Sequence, residues 1–269
     1  MRKTGCVNSV YETLYGENGY RQMKMDGYDF ADFQGLVDTE TPLFAENDSG
    51  FERILREERA RAQEAGIAFS QTHSPWRYPP KDFLPEDRAE RKEKMLRSIY
   101  GTAILGSPYM AIHPVMPFGA DNDPEPQRFW DMNLEFMSAL LLFAKEQNVV
   151  LCLENMPMRR LSLSTPEQIG RFVRELDSEQ IKMCLDIGHC NVFGISPAQA
   201  FTEEKDLIRI LHIHDNDGSG DQHLLPGDGN IDWVAFKASL SCYEGVLSME
   251  PGAKVDLPAL AAFASRLAK

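Results

Sequence analysis

The strongest constraint in this chain is a recurrence. A short β-type run, a loop and a helical stretch follow one another eight times. The runs are Thr4–Val7, Tyr28–Phe33, Ile67–Thr72, Tyr109–Ile112, Val149–Leu153, Ile181–Leu185, Ile208–Leu211 and Gly245–Met249. Several are nearly continuous apolar stretches, the pattern of parallel strands covered on both faces. Between them, Phe51–Ala65, Asp87–Leu105, Pro126–Gln147 and Leu257–Leu267 carry helical periodicity. Two more helix starts are marked by capping boxes, Thr165-Pro166-Glu167-Gln168 and Ser196-Pro197-Ala198-Gln199. In each, a hydroxyl N-cap and a Gln three residues on satisfy orphan backbone donors, with Pro at the first helical position. Strands alternating with helices argue for a parallel sheet, and eight is the number that closes a barrel. A chain of 269 residues has the usual size of one such barrel. Residues 1–269 are therefore expected to form a single α/β domain, a (β/α)8 TIM barrel. A doubly wound open sheet is the alternative, but the glycine fingerprint of its dinucleotide-binding form is absent.

The polar residues fall in register with this repeat. Each of the last six runs is followed at once by a residue that can ligate a metal: His73, His113, Glu154, Asp186, His212 and Glu250. In a barrel, that spacing puts all six on the C-terminal rim, where barrel active sites are built. His189, His214, Asp221 and His223 lie just beyond strand ends, so all six histidines of the chain fall in these segments. One histidine at a strand end is ordinary, and one acid there can simply cap the next helix. Several acids converging on one barrel mouth repel one another, and a bound cation resolves that repulsion. The ligand types accept Mn, Zn, Co or Mg, with one to three ions per chain allowed by the number of donors.

Composition narrows the partners. The 28 Lys and Arg against 41 Asp and Glu give a net charge of −13. Affinity for DNA or an anionic membrane needs a positive surface, so nucleic acid is a poor partner and a small molecule a better one. The charge-rich stretches Glu52–Glu64 and Glu86–Arg97 mix both signs at helical spacing and read as solvated helix faces. No apolar run is long enough to span a membrane. Five cysteines without a C-x-x-C spacing, behind an N-terminus lacking an apolar signal region, suit a reducing cytoplasm. A homo-oligomer is compatible with the sequence.

Five segments carry a resemblance: Thr72-His73-Ser74-Pro75, Leu153-Glu154-Asn155, Leu185-Asp186-Ile187-Gly188-His189, Leu211-His212-Ile213-His214-Asp215 and Met249-Glu250-Pro251. Together they resemble the xylose-isomerase-like superfamily, which includes ketose 3-epimerases, inosose isomerases and endonuclease IV. The epimerase and isomerase branch implies one divalent ion held by Glu154, Asp186, His212 and Glu250. It also implies His189 on a substrate oxygen, and Glu154 and Glu250 as the catalytic proton-transfer pair beside a polarised carbonyl. Resemblance to endonuclease IV implies instead a three-zinc cluster that adds His73, His113, His189, Asp221 and His223. That cluster would support metal-assisted attack on a phosphoester. The segment His223 to Trp233 is similar to small-molecule members. The ketose 3-epimerases place an arginine soon after the seventh-strand histidine, whereas no Arg follows His212 before Arg266.

The reading is a divalent-metal-dependent isomerase or epimerase of a sugar, sugar phosphate or related polyol. The alternatives are a multinuclear zinc phosphoesterase and a barrel that binds sugar and metal without turnover. His189, His214, Trp76 and Arg159 are candidate substrate contacts. Trp76, Phe118, Trp130 and Met158 could wall or cover the site, and Arg159-Arg160 could grip a phosphate or carboxylate. Gly227-Asp228-Gly229 reads as a turn.

Overall fold

The computed structural model describes residues 2–76, 80 and 82–269. Eight parallel strands close a barrel in chain order, β1 pairing with both β2 and β8. They are β1 (Lys3–Val7), β2 (Phe30–Phe33), β3 (Ala68–His73), β4 (Tyr109–Ile112), β5 (Val150–Glu154), β6 (Ile181–Asp186), β7 (Ile208–Ile213) and β8 (Val246–Met249). The helices are α1 (Asn8–Tyr15), α2 (Gly19–Met25), α3 (Pro42–Ala45), α4 (Asp48–Glu64), α5 (Pro85–Leu105), α6 (Pro126–Glu146), α7 (Pro166–Leu176), α8 (Ile187–Val192), α9 (Pro197–Glu204), α10 (Trp233–Ser239) and α11 (Leu257–Ala268). No helix among the described residues is long and apolar enough to cross a membrane.

The eight expected strands are all present, and their ends shift for local reasons. β2 begins at Phe30 rather than Tyr28 because the Tyr28 N–H still bonds to Met23 O at the end of α2. Likewise the Ile67 N–H bonds to Ala62 O, after Gly66 turns the chain out of α4 with φ +78°, so β3 starts at Ala68. His73, Glu154 and Asp186 are the last residues of their strands, and His212 lies inside β7. Only His113 and Glu250 follow their strands. The helix α4 starts at Asp48, three residues early, because the Asn47 side chain caps it by accepting from Gly50 N at 2.9 Å. The capping box at Thr165 and Gln168 forms in both directions. Ser196 caps α9 alone, since the Gln199 side chain turns to Glu203 instead.

Strand alternation divides the core and also aims the site. Leu151, Leu153, Met183, Leu185 and Leu211 point outward into the main core beneath the helices. Fully burying one such side chain contributes about 1.5–3 kcal/mol. Ala111, Cys152, Cys184 and Ile210 point inward and pack together inside the barrel. Two residues further along each strand the same inward face reappears at the rim. It then carries His113, Glu154, Asp186 and His212. A single-residue slip would put these groups in the apolar layer, so the hydrophobic pattern fixes the position of the polar one.

Candidate metal centre

At the rim the donors fall into three adjoining groups. Glu154 stands between two of them. Its Oε2 faces His113 Nε2 at 3.2 Å and His73 Nε2 at 3.9 Å, while its Oε1 lies 3.3 Å from His212 Nδ1. The second group is centred on His212 Nδ1, which also has Glu250 Oε2 at 3.4 Å and Asp186 Oδ2 at 4.0 Å. In the third group, Asp221 Oδ2 lies 3.3 Å from both His189 Nε2 and His223 Nε2. With metal–ligand bonds of about 2.0–2.1 Å, two ligands on one tetrahedral ion are about 3.3 Å apart. Most of these spacings match that value.

Outer partners orient the imidazoles. The Nδ1–H of His189 donates to Asn155 O at 2.7 Å, and that of His223 to Glu250 O at 2.9 Å. Asp32 lies 3.0 Å from His73 Nδ1. Each arrangement leaves Nε2 turned toward the cluster, the role that such partners play around metal-ligating histidines. Asp186 ends β6 and at once N-caps α8, its Oδ1 accepting from His189 N at 2.7 Å. Its Oδ2 accepts from His214 Nε2 at 3.1 Å. The Asn155 side chain clamps the Asp186 backbone in both directions, at 2.8 and 2.9 Å.

The electrostatics are those of acids balanced by protons. Burial opposes a charged His189, but Asp186, Asp221 and Glu154 outweigh it and raise its pKa to about 10. His223 is also raised to about 10, burial being overcome by Asp221 and Glu250. Burial alone would lift the Glu154 carboxyl, yet His212 and His113 hold it well below the usual range. Asp221 and Asp186 are lowered for the same reason, against burial, by their histidine neighbours. His113 moves the other way, because burial dominates and lowers it. A divalent cation can replace such protons, and the residues fit one. Glu154 Oε2 is buried without an aligned hydrogen bond, and the imidazoles and carboxylates present free donor atoms at ligand spacing.

Sequence reasoning located every member of the three groups, but it missed the layer beneath them. Asp32 and Gln71 are fully buried. Gln71 Nε2 lies 3.0 Å from Asp32 Oδ2 and 2.8 Å from His212 Nε2. The one local signal was a charged residue inside the apolar run Phe30-Ala31-Asp32-Phe33. Cys184 Sγ, two residues before Asp186, is 3.5 Å from His212 Nδ1.

The other candidates are placed as follows. Trp76 packs on the His113 ring, centroids 4.6 Å apart, and lines the cavity above the cluster together with Val37, Met156, Pro157 and Met158. That cavity encloses about 340 Å³. His214 sits behind Asp186, stacked on His223 with ring centroids 3.8 Å apart, and does not line it. Arg159 donates to the carbonyls of Val192 and Gly218, and its guanidinium ties loops together outside the cavity. Trp130 belongs to α6, bonds to Glu175 and packs on Phe172, and Phe118 packs against the core. Gly227 has φ +104° and Asp228 N bonds to Leu225 O, the expected turn.

A closed parallel barrel with buried imidazoles and carboxylates crowded at the C-terminal rim defines a class, that of barrels built around a candidate metal centre. Comparison gives the family. A family model described as xylose isomerase-like TIM barrel matches residues 20–267, and the chain belongs to that family. An uncharacterized protein of Methanocaldococcus jannaschii is 33% identical over 185 residues, 64% of this chain and 62% of that protein. The D-psicose 3-epimerase of Enterocloster bolteae is 31% identical over 153 residues, 55% of this chain and 48% of the enzyme. The chain thus spans less than two thirds of the length of either relative. The crystal structure of a D-tagatose 3-epimerase-like protein superposes with a TM-score of 0.77 at 24% identity, covering 98% of this chain and 95% of the other.

Proposed function

We propose that this protein is a divalent-metal-dependent isomerase or epimerase of a sugar, sugar phosphate or related polyol. The observation that carries the reading is the placement of two carboxylates. Glu154 Oε1 and Glu250 Oε2 flank His212 Nδ1 at 3.3 and 3.4 Å, and both residues line the same cavity. Glu154, Asp186, His212 and Glu250 would hold the ion, which when bound polarises a carbonyl and the adjacent hydroxyl oxygen. Glu154 and Glu250 then remove and return the proton at the neighbouring carbon, one from each side. His189, fixed through its Nδ1–H on Asn155 O, offers Nε2 to a substrate hydroxyl. Trp76 and Met158 supply the apolar wall against which a sugar ring packs. The likeness to a D-psicose 3-epimerase supports the same class of substrate.

The test is deuterium exchange in heavy water with ion-loaded protein and a panel of ketoses. Exchange at the carbon beside the carbonyl is expected, and its loss in both Glu154→Gln and Glu250→Gln. Exchange at undiminished rate in either variant would overturn the pairing.

One observation favours a second reading. The two oxygens of Glu154 divide between the His73–His113 pair and His212, so the one carboxylate faces two groups of donors that could each hold an ion. Were several ions held by these residues, Glu154 would be less free as a base, and the ions would supply the water activation that phosphoester cleavage needs. Three stoichiometric ions, no exchange on any ketose and cleavage of a phosphodiester would establish that reading.

A further inference from the structure

The opposite end of the barrel holds a second cavity. It encloses about 550 Å³ at the N-terminal mouth, among the first residues of β1, β2, β3, β4, β7 and β8. Its lining is basic in a chain of net charge −13. Lys3, Lys205 and Arg209 face it with one acid, Glu244. Among the described residues, none of these four forms an ion pair with another side chain. Lys3 rests over the Phe30 ring, and Arg209 uses one nitrogen on the carbonyls of Asp206 and Ile208. The rest of its guanidinium has no protein acceptor among the described residues.

Two register irregularities in the barrel border this mouth. Between β2 and β3, Ala31 pairs with Phe69 and Asp32 with Gln71, so Ser70 has no partner. Between β6 and β7, Met183 pairs with Ile208 and Cys184 with Ile210, which leaves Arg209 unmatched. Both unmatched residues line the cavity. A bulge re-aims one side chain, and bulges concentrate at barrel rims and beside sites. Lysine at the end of α9 could merely offset the helix dipole. That account covers Lys205 but not the bulge that brings Arg209 to the same space.

We propose that this mouth binds a small, multiply charged oxyanion, of the phosphate or phosphorylated-metabolite class. Three cations against one carboxylate leave an excess positive charge, and a partly enclosed cavity strengthens it relative to open surface. The guanidinium supplies the planar fork that suits phosphate oxygens, and the ammonium groups add charge from two other elements. The cavity lies at the other end of the barrel from the metal centre, with Gln71, which meets His212, between them, and the proposal does not depend on the isomerase reading.

The probe is inorganic phosphate, followed by calorimetry and phosphorus NMR on the full chain at low ionic strength. Because phosphate can also bind a metal centre, two variants are compared. Lys205→Ser with Arg209→Ser alters only the lower mouth, and His223→Ala removes a cationic group from the upper rim only. Binding should weaken about tenfold or more in the first, equivalent to losing at least one charge-assisted contact. It should be unchanged in the second. A single Lys205→Gln variant, at an exposed position, checks that any loss does not come from misfolding. No binding of phosphate by the wild type at millimolar concentration overturns the proposal. So does binding that survives in the lower-mouth variant, or that disappears only with His223.

Discussion

Gly188 offers the sharpest test of how the rim is assembled. It lies in α8, two residues after Asp186, and a Cβ there would stand 2.0 Å from His214 Cε1 and 2.4 Å from its Nδ1. The imidazole is fully buried and cannot yield without leaving its place. Gly188→Ala should therefore break the bond from His214 Nε2 to Asp186 Oδ2 and the stack on His223. Losing a buried hydrogen bond to a charged group costs roughly 1.5–3 kcal/mol, and overpacking adds about 1–3 kcal/mol. A total near 4 kcal/mol corresponds to a fall in Tm of roughly 10 °C for a domain of this size. The assay is thermal unfolding of the ion-free protein, repeated in a His214→Ala background. There the clash is gone, and Gly to Ala within a helix should be neutral or stabilising by up to about 1 kcal/mol. The cycle isolates the coupling between the two positions. A Gly188→Ala protein with unchanged Tm, or a cost that persists without the His214 ring, would refute the close-approach argument.

Other outcomes follow from the same geometry. Asp186→Ala should abolish tight divalent-ion binding while far-ultraviolet circular dichroism shows an intact barrel; undiminished affinity would remove Asp186 from the ligand set. His189 and His223, each with a pKa of about 10 in the ion-free protein, carry protons at pH 8. In the reading with several ions, an ion held at these two Nε2 atoms must expel those protons, so the affinity for the additional ions should rise with pH toward 10 and calorimetry in buffers of different ionisation enthalpy should report proton release. No release from these two groups on loading further ions at pH 8 would exclude His189 and His223 as ligands and leave His189 to the substrate. Duplex DNA should show no useful affinity at physiological salt, since 41 acids face 28 bases. Tight, salt-sensitive binding to an abasic duplex with strand cleavage would promote the phosphoesterase reading.

The legibility of this site had a physical basis and a physical limit. Parallel strands buried on both faces stand out as apolar runs, and a titratable residue at the end of such a run has few structural uses. That made His73, His113, Glu154, Asp186, His212 and Glu250 visible together. The supporting layer left no comparable trace. Gln71 meets His212 across 141 residues of chain, and Asn155 meets Asp186 across 31. Neither pair has a local pattern, because barrel closure alone brings them together. The bulges at Ser70 and Arg209 were equally hidden, since an unmatched residue has no signature in either strand alone. The small helices α1 and α2, between the first two strands, have no visible pattern because each is too short for its period to stand out.

The choice between the two chemistries turns on how many ions Glu154 must serve. Its Oε1 belongs with His212 and Glu250, a setting that one ion can complete with Asp186. Its Oε2 is the buried oxygen without an aligned bond, facing His113 and His73. If His113 donates to Oε2 when an ion occupies the His212 group alone, the carboxylate keeps a proton-accepting oxygen and base catalysis is open to it. His113 then remains a hydrogen-bond donor, and His113→Ala should lower turnover without lowering the affinity for the first ion. If Oε2 instead takes a second ion, His113 is a ligand, and the same substitution should remove one ion per chain. Elemental analysis of His113→Ala beside the wild type separates the two cases. An unchanged ion count with slowed exchange supports the proton-transfer pair, and a count reduced by one sinks it in favour of the bridged centre.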